Sequence, residues 1–404
     1  MSSELLKPMK LQNTASWGWW LLGFVSFYLG FVFPFSFFRH DDWLILGNVA
    51  RFLPNNWQFL FEPYLKVNSI KQIWFFRPWF KLIVYFYHSL FGFHYYAWLC
   101  LNLLFTVGAL IFGFLSIWLL SLSAEQGILF LAFFILSLHF HFGSLVWAGE
   151  GSMNCPQVFF VFLNLYFFSR AIRTSYKQQA YLFHFLALLT FIFSLGFKES
   201  SLFHLPFVFL ILFHSQNDLL THKNKVLIVL PYILIATLYF IFRIYVIPFN
   251  PGYIPTITTR LILYPALFLL GSLLLPYLAL LFAAFFRDSG LEKPFKITLS
   301  FLWYLLFFAP FFAVYMGHGF FSPGWLLTPG MYVAYIIGLK FPLPFFSRKM
   351  IRIALLTTLI VSGAIVIYQA HQLKWWMWHR PQRQLLKIIE EKGSDSTQTL
   401  QLFD

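Results

Sequence analysis

The sequence is poor in charge. Only 10% of its 404 residues are Asp, Glu, Lys or Arg, and just 14 are acidic. A soluble core of this size would be wrapped in a far more charged surface, so the composition excludes an ordinary soluble globular protein. Cysteine is scarce as well. Cys100 and Cys155 give no disulfide framework. No internal repeat and no low-complexity segment is evident. Strict apolar–polar alternation over strand-length segments is also missing, which excludes an outer-membrane barrel. The first apolar run, 17–38, has no small-residue cleavage site at its end, so it reads as a retained span and not a signal peptide.

Apolar and aromatic residues fill the space that charge leaves. The chain is 60% hydrophobic and 23% aromatic, and its apolar runs have helical length. They predict an all-α, polytopic membrane protein with about 11 transmembrane helices, several of them shorter than the ~20 residues of an upright crossing. The predicted spans are 17–38, 94–120, 127–146, 156–170, 180–197, 201–214, 226–247, 261–286, 297–316, 329–343 and 351–370. Residues 1–372 form the membrane domain, and 373–404 form a short amphipathic tail in which "QLLKIIEE" has helical spacing.

Placing the N-terminus, with Lys7 and Lys10, in the cytoplasm makes alternate loops cytoplasmic. Those loops carry Arg170, Arg173 and Lys177; Lys223 and Lys225; Arg287, Lys293 and Lys296; and Arg348, Lys349 and Arg352. The opposite loops carry almost none, the positive-inside asymmetry. The net charge of +14 then belongs to loops facing anionic lipid, and no nucleic-acid partner is expected. The run 79–90 is apolar but short and holds Lys81. It reads as an interfacial helix within a long first outer loop, 39–93.

Five acidic residues fall on the non-cytoplasmic side: Asp41, Asp42, Glu62, Glu150 and Glu199. Arg77, Lys198 and Arg243 lie at similar depth. Ionisable groups at membrane depth cost several kcal/mol unless they meet a partner or a wet cavity, so a polar cavity with mixed charges is expected at the outer face. Each residue also has a plainer reading. Asp41 can cap a helix starting near Trp43, Glu150 can be an ordinary loop residue, Lys198 and Glu199 can pair with each other, and His318 can be an interfacial histidine.

The segment "HDDW", an acidic pair directly after the first span, resembles the first outer loop of C-type (GT-C fold) membrane glycosyltransferases. The resemblance is to the protein O-mannosyltransferase-like and tetratricopeptide-bearing branches. "FFRPWF" is similar to their Arg-Pro or Pro-Pro motif, and "LFGFHYYAWLCLNLLF" to their Phe-Gly step before the second span. "GFKESSLFHLP" resembles their Lys-Glu pair, and "LLTPGMYVAYIIG" a "YLPSIGF"-type segment. Gly324 and Trp325 stand near where the family has an arginine, and no tetratricopeptide segment follows.

The resemblance implies transfer of a sugar from a polyprenyl-phosphate carrier to a lipid, glycan or protein acceptor on the non-cytoplasmic face of a bacterial inner membrane or an endoplasmic-reticulum-type membrane. Asp41, first of the pair, would be the base that takes the acceptor proton, with Asp42 beside it. Arg77 would face the carrier phosphate through its guanidinium fork, with His40, Glu150, Lys198, Glu199, Arg243 and His318 as further binding candidates. Inversion at the anomeric carbon is expected from a single base. No metal or other cofactor is expected, a hard divalent ion on Asp41, Asp42 and Glu150 being the alternative. The competing class is a polyisoprenoid-lipid or sugar transporter, or an inactive relative of the same fold. A transporter would show repeated halves and broken helices.

Overall fold

The structure is a computed structural model and describes residues 15–36, 57–61, 64–68, 71–214, 222–246, 327–340, 348–372 and 387. These residues are almost all helical. The first apolar run is one continuous helical rod: α1 (Ala15–Phe27) passes into a π-turn, Tyr28–Val32, and a 3-10 turn, Phe33–Phe35. Pro34 ends it, since a proline ring cannot continue the i→i−4 ladder. A short antiparallel hairpin follows, β1 (Tyr64–Asn68) with β2 (Lys71–Phe75), in register Tyr64 to Phe75. The sequence reading contains no strand there.

The helix expected at 79–90 is α2 (Pro78–Phe91). Proline at its first position fits, because the missing N–H is one that the first turn leaves unbonded anyway. Gly92 closes it with φ +54°, its N–H bonding the His88 carbonyl. Only glycine adopts that backbone without strain, which gives the Phe-Gly step a physical reason.

The centre of the bundle is α3 (Tyr95–Ser121), α6 (Ala148–Arg173) and α7 (Lys177–Phe197). α3 and α6 run parallel, as contacts at both ends show: Asn102 Nδ2 donates to the Ala148 carbonyl at 2.9 Å, and Arg173 Nη2 to that of Leu120 at 2.6 Å. Helix α7 returns antiparallel beside α6. Between α3 and α6 the chain makes α4 (Ala124–Leu136) and α5 (Leu138–Val146), bent by 61° at Ser137. After α7 come a 3-10 turn, Glu199–His204, then α8 (Leu205–His214), α9 (His222–Val246), α10 (Leu327–Lys340) and α11 (Arg348–Gln372).

Among the described residues, four helices are long and apolar enough to cross a membrane: α3, α6, α7 and the Arg348–Tyr368 part of α11. The bent pair α4–α5 makes a fifth if it is one span. Shorter apolar helices cover Ser16–Val32, Val226–Phe242 and Gly330–Leu339. This is a multi-pass membrane protein by composition and helix length. The expected spans at 261–286 and 297–316, and the tail 373–404 apart from Lys387, lie outside the described residues.

One boundary is corrected. The span placed at 156–170 is a helix beginning at Ala148. Its early turns carry Glu150, Asn154 and Gln157, which lowered its apparent hydropathy. Small residues let this end approach its neighbours closely: a Cβ on Gly151 would strike the Ser144 carbonyl and the Asn102 amide.

Candidate polar site at one end of the bundle

Three elements end together and bring charge to one place. Arg77 precedes Pro78 and is therefore kept out of the helical region, at φ −143° and ψ 69°. That extended step carries its side chain away from α2 toward α6 and the 3-10 turn after α7. Arg77 Nη2 and Nε both donate to Glu199 Oε2, at 2.9 and 3.2 Å, and Nη1 lies 3.1 Å from Met153 Sδ. The pair is largely shielded, the side chains being 11% and 17% exposed.

Lys198 caps α7 in an extended conformation. Its ammonium donates to Asn154 Oδ1 at 2.8 Å. Burial pushes this ammonium down to about 8; Glu150 acts upward on it, Arg77 downward and Glu199 upward. Four charged groups therefore share one electrostatic environment: two cations and two carboxylates. The plainer reading, in which Lys198 and Glu199 pair with each other, is replaced by Arg77–Glu199 and Lys198–Asn154.

Glu150 sits in the first turn of α6, not in a loop. A carboxylate there is favoured by the helix dipole. Glu150, Asn154, Gln157 and Asn164 recur at helical spacing and form a polar stripe along one face of α6. Gln157 Nε2 donates to the hydroxyls of Ser200 and Ser201, at 2.8 and 2.9 Å, and its Oε1 accepts from Thr328 Oγ1 at 3.0 Å. One buried amide so ties α6, the 3-10 turn and the start of α10 together. Deeper in the bundle Asn164 bonds His204, whose Nδ1 lies 3.3 Å from the Tyr332 hydroxyl. Ser201 Oγ also donates to the Ser194 carbonyl at 2.9 Å, satisfying the end of α7. The backbone under Lys198 and Glu199 is fixed by these bonds.

The structure thus brings together Arg77, Glu150, Lys198 and Glu199 from the candidate set. Arg243 falls near the end of α9, a different element. His40, Asp41, Asp42, Glu62 and His318 lie outside the described residues. Sequence reasoning missed Met153, Asn154, Gln157, Thr328 and His204, all uncharged partners. The stripe at positions 150, 154, 157 and 164 was a usable signal, hidden by starting the span at 156. Lys81, noted in the run 79–90 but given no site role, is 2% exposed on the buried face of α2. Its backbone N–H donates to the Arg77 carbonyl at 3.2 Å.

Chemically, fixed cations beside carboxylates can bind an anion and hold or move a proton. No protein-family model matches this chain, and the search of curated proteins returns no match.

Proposed function

We propose that the chain is a membrane glycosyltransferase that moves a sugar from a polyprenyl-phosphate carrier to an acceptor hydroxyl on the non-cytoplasmic face. The observation that carries this reading is the cluster of Arg77, Glu150, Lys198 and Glu199 at one end of an apolar bundle. Charges at such a depth are costly and are kept where a polar substrate must be met. In the reaction, Asp41 takes the acceptor proton as the hydroxyl oxygen attacks the anomeric carbon. The bond from that carbon to the phosphate oxygen breaks, and the carrier phosphate leaves with the electron pair. Arg77, with Lys198, offsets the charge that develops there. One base and one displacement invert the anomeric centre.

A second reading has its own support. The break between α4 and α5 at Ser137, flanked by buried His139 and His141, is the kind of discontinuity that transporters of polyisoprenoid lipids or sugars use. The test is direct. Purified protein is incubated with radiolabelled polyprenyl-phosphate sugars and a membrane extract, and separately reconstituted into vesicles holding the same lipids on one leaflet. Label reaching an acceptor supports the transferase. Label crossing the bilayer with no transfer supports the transporter.

A further inference from the structure

The 3-10 turn Glu199–His204 continues directly from Lys198, so whatever fixes the turn also fixes the charges at its start. The same pair of helices grips it at both ends. At its start, the Ser200 and Ser201 hydroxyls accept from Gln157 Nε2 on α6, and Gln157 Oε1 accepts from Thr328 Oγ1 on α10 at 3.0 Å. At its end, His204 bonds Asn164 on α6 and Tyr332 on α10. The polarity of this second grip follows from its neighbours. Asn164 Nδ2 donates to the Ala187 carbonyl, so its Oδ1 is the acceptor for the His204 Nε2–H. His204 Nδ1 then accepts from the Tyr332 hydroxyl at 3.3 Å. Thr328 and Tyr332 stand one helical turn apart and share a face of α10. All five side chains of the two grips, those of Gln157, Asn164, His204, Thr328 and Tyr332, are buried, where a polar group that loses its partner is costly.

We infer that Thr328 and Tyr332 are positioning residues: through Gln157 and His204, α10 sets where the Lys198 ammonium stands. The first residues of the turn transmit this. The Ser201 N–H donates to the Lys198 carbonyl at 3.1 Å, and Ser201 Oγ to the Ser194 carbonyl at 2.9 Å. A displacement of the turn therefore passes to the last turn of α7 and to Lys198. The ammonium is held by Asn154 Oδ1 at 2.8 Å, and the charges around it are Glu150 of α6, Arg77 before α2 and Glu199 of the turn. As a statement about catalysis this rests on the transferase reading above, which gives Lys198 its task, but the placement of the ammonium can be read with no substrate present.

The test uses the full chain in detergent and trace acetylation with acetic anhydride, read at each lysine by peptide mass spectrometry as pH is varied. Only the uncharged amine reacts, so the midpoint of the Lys198 profile reports its ionisation. In the unaltered protein that midpoint should fall near 8. Tyr332→Phe keeps the ring stacked on Phe207, with 4.0 Å between centroids, and removes only the hydroxyl. Thr328→Val removes the hydroxyl of the other grip. Each should raise the midpoint by about half a pH unit or more, toward the ordinary 10.5, as the ammonium leaves its shielded seat. The two together should raise it further. Thr328→Ser, which keeps the hydroxyl, should leave it in place. Labelling of the exposed Lys177 should be the same throughout. A lower melting temperature with the Lys198 midpoint unmoved makes both hydroxyls merely structural and overturns the inference. Should one variant fail to fold, the other decides. A raised midpoint in a protein that transfers no sugar leaves the positioning standing and removes the transferase. Sugar transfer with an unmoved midpoint does the reverse.

Discussion

Removing the guanidinium while keeping the stem isolates what the Arg77–Glu199 pair contributes. Arg77→Met deletes two charge-assisted bonds to Glu199 Oε2 and leaves a carboxylate only 17% exposed. Breaking a fully buried pair costs ~3–5 kcal/mol, and an exposed pair ~0–1 kcal/mol. Glu199 lies between these limits, and Lys198 can take up part of its charge, so ~2 kcal/mol is expected. The assay is thermal unfolding in detergent at one fixed scan rate, since unfolding of such proteins is commonly irreversible. Arg77→Met should melt several degrees below the unaltered protein. Adding Glu199→Gln should restore part of that loss, because the stranded charge is gone. The coupling between the two changes should be on the order of 1–2 kcal/mol. If the double variant loses the simple sum of the two single losses, the pair is not coupled and the site geometry is wrong.

Three further outcomes follow from the same structure. Gln157→Leu removes the amide that bonds the hydroxyls of Ser200, Ser201 and Thr328, with Ser201 keeping its bond to the Ser194 carbonyl, and should lower stability by ~1–3 kcal/mol in the same assay, whereas Gln157→Glu should lose less. Lys198 sits at about 8 against its usual 10.5, so its ammonium weakens folding below about pH 8, and that penalty is relieved as pH climbs toward 10.5. Affinity for the polyprenyl-phosphate carrier should run the other way, falling as pH rises through about 8. Lys198→Arg should remove that step, and a flat profile across the window would contradict the assignment. Gly92→Ala forces a side chain onto φ +54° and should cost ~1 kcal/mol or more of stability, read from the unfolding midpoint.

The long apolar elements were legible because continuous hydrophobicity is a direct signal. The span expected at 94–120 is Tyr95–Ser121, and that expected at 180–197 is Lys177–Phe197. The error at α6 has the opposite cause. Its first three turns hold Glu150, Asn154 and Gln157, and a helix that turns polar residues toward neighbouring protein reads as a loop when judged by hydropathy alone. The bend at Ser137 and the hairpin at 64–75 left no comparable mark in composition. Within the site, charge was easy to find because it is rare. Its partners were not. Nothing in "WAGEGSMN" says that Asn154 will meet Lys198 before α6 and α7 are known to pack antiparallel, or that Met153 will meet Arg77 before the start of α2 is known to lie against α6.

The central claim is that an acidic pair and a cationic cluster perform sugar transfer, and Asp41→Asn tests it most directly. With a donor and acceptor established for the unaltered protein, donor binding and single-turnover transfer are measured side by side. If Asp41 takes the acceptor proton, donor affinity stays close to the unaltered value while turnover falls by ~10²–10⁴-fold. Asp42→Asn should fall less. Asp41→Asn turning over at the unaltered rate, with donor bound, would make the aspartates structural and contradict the account.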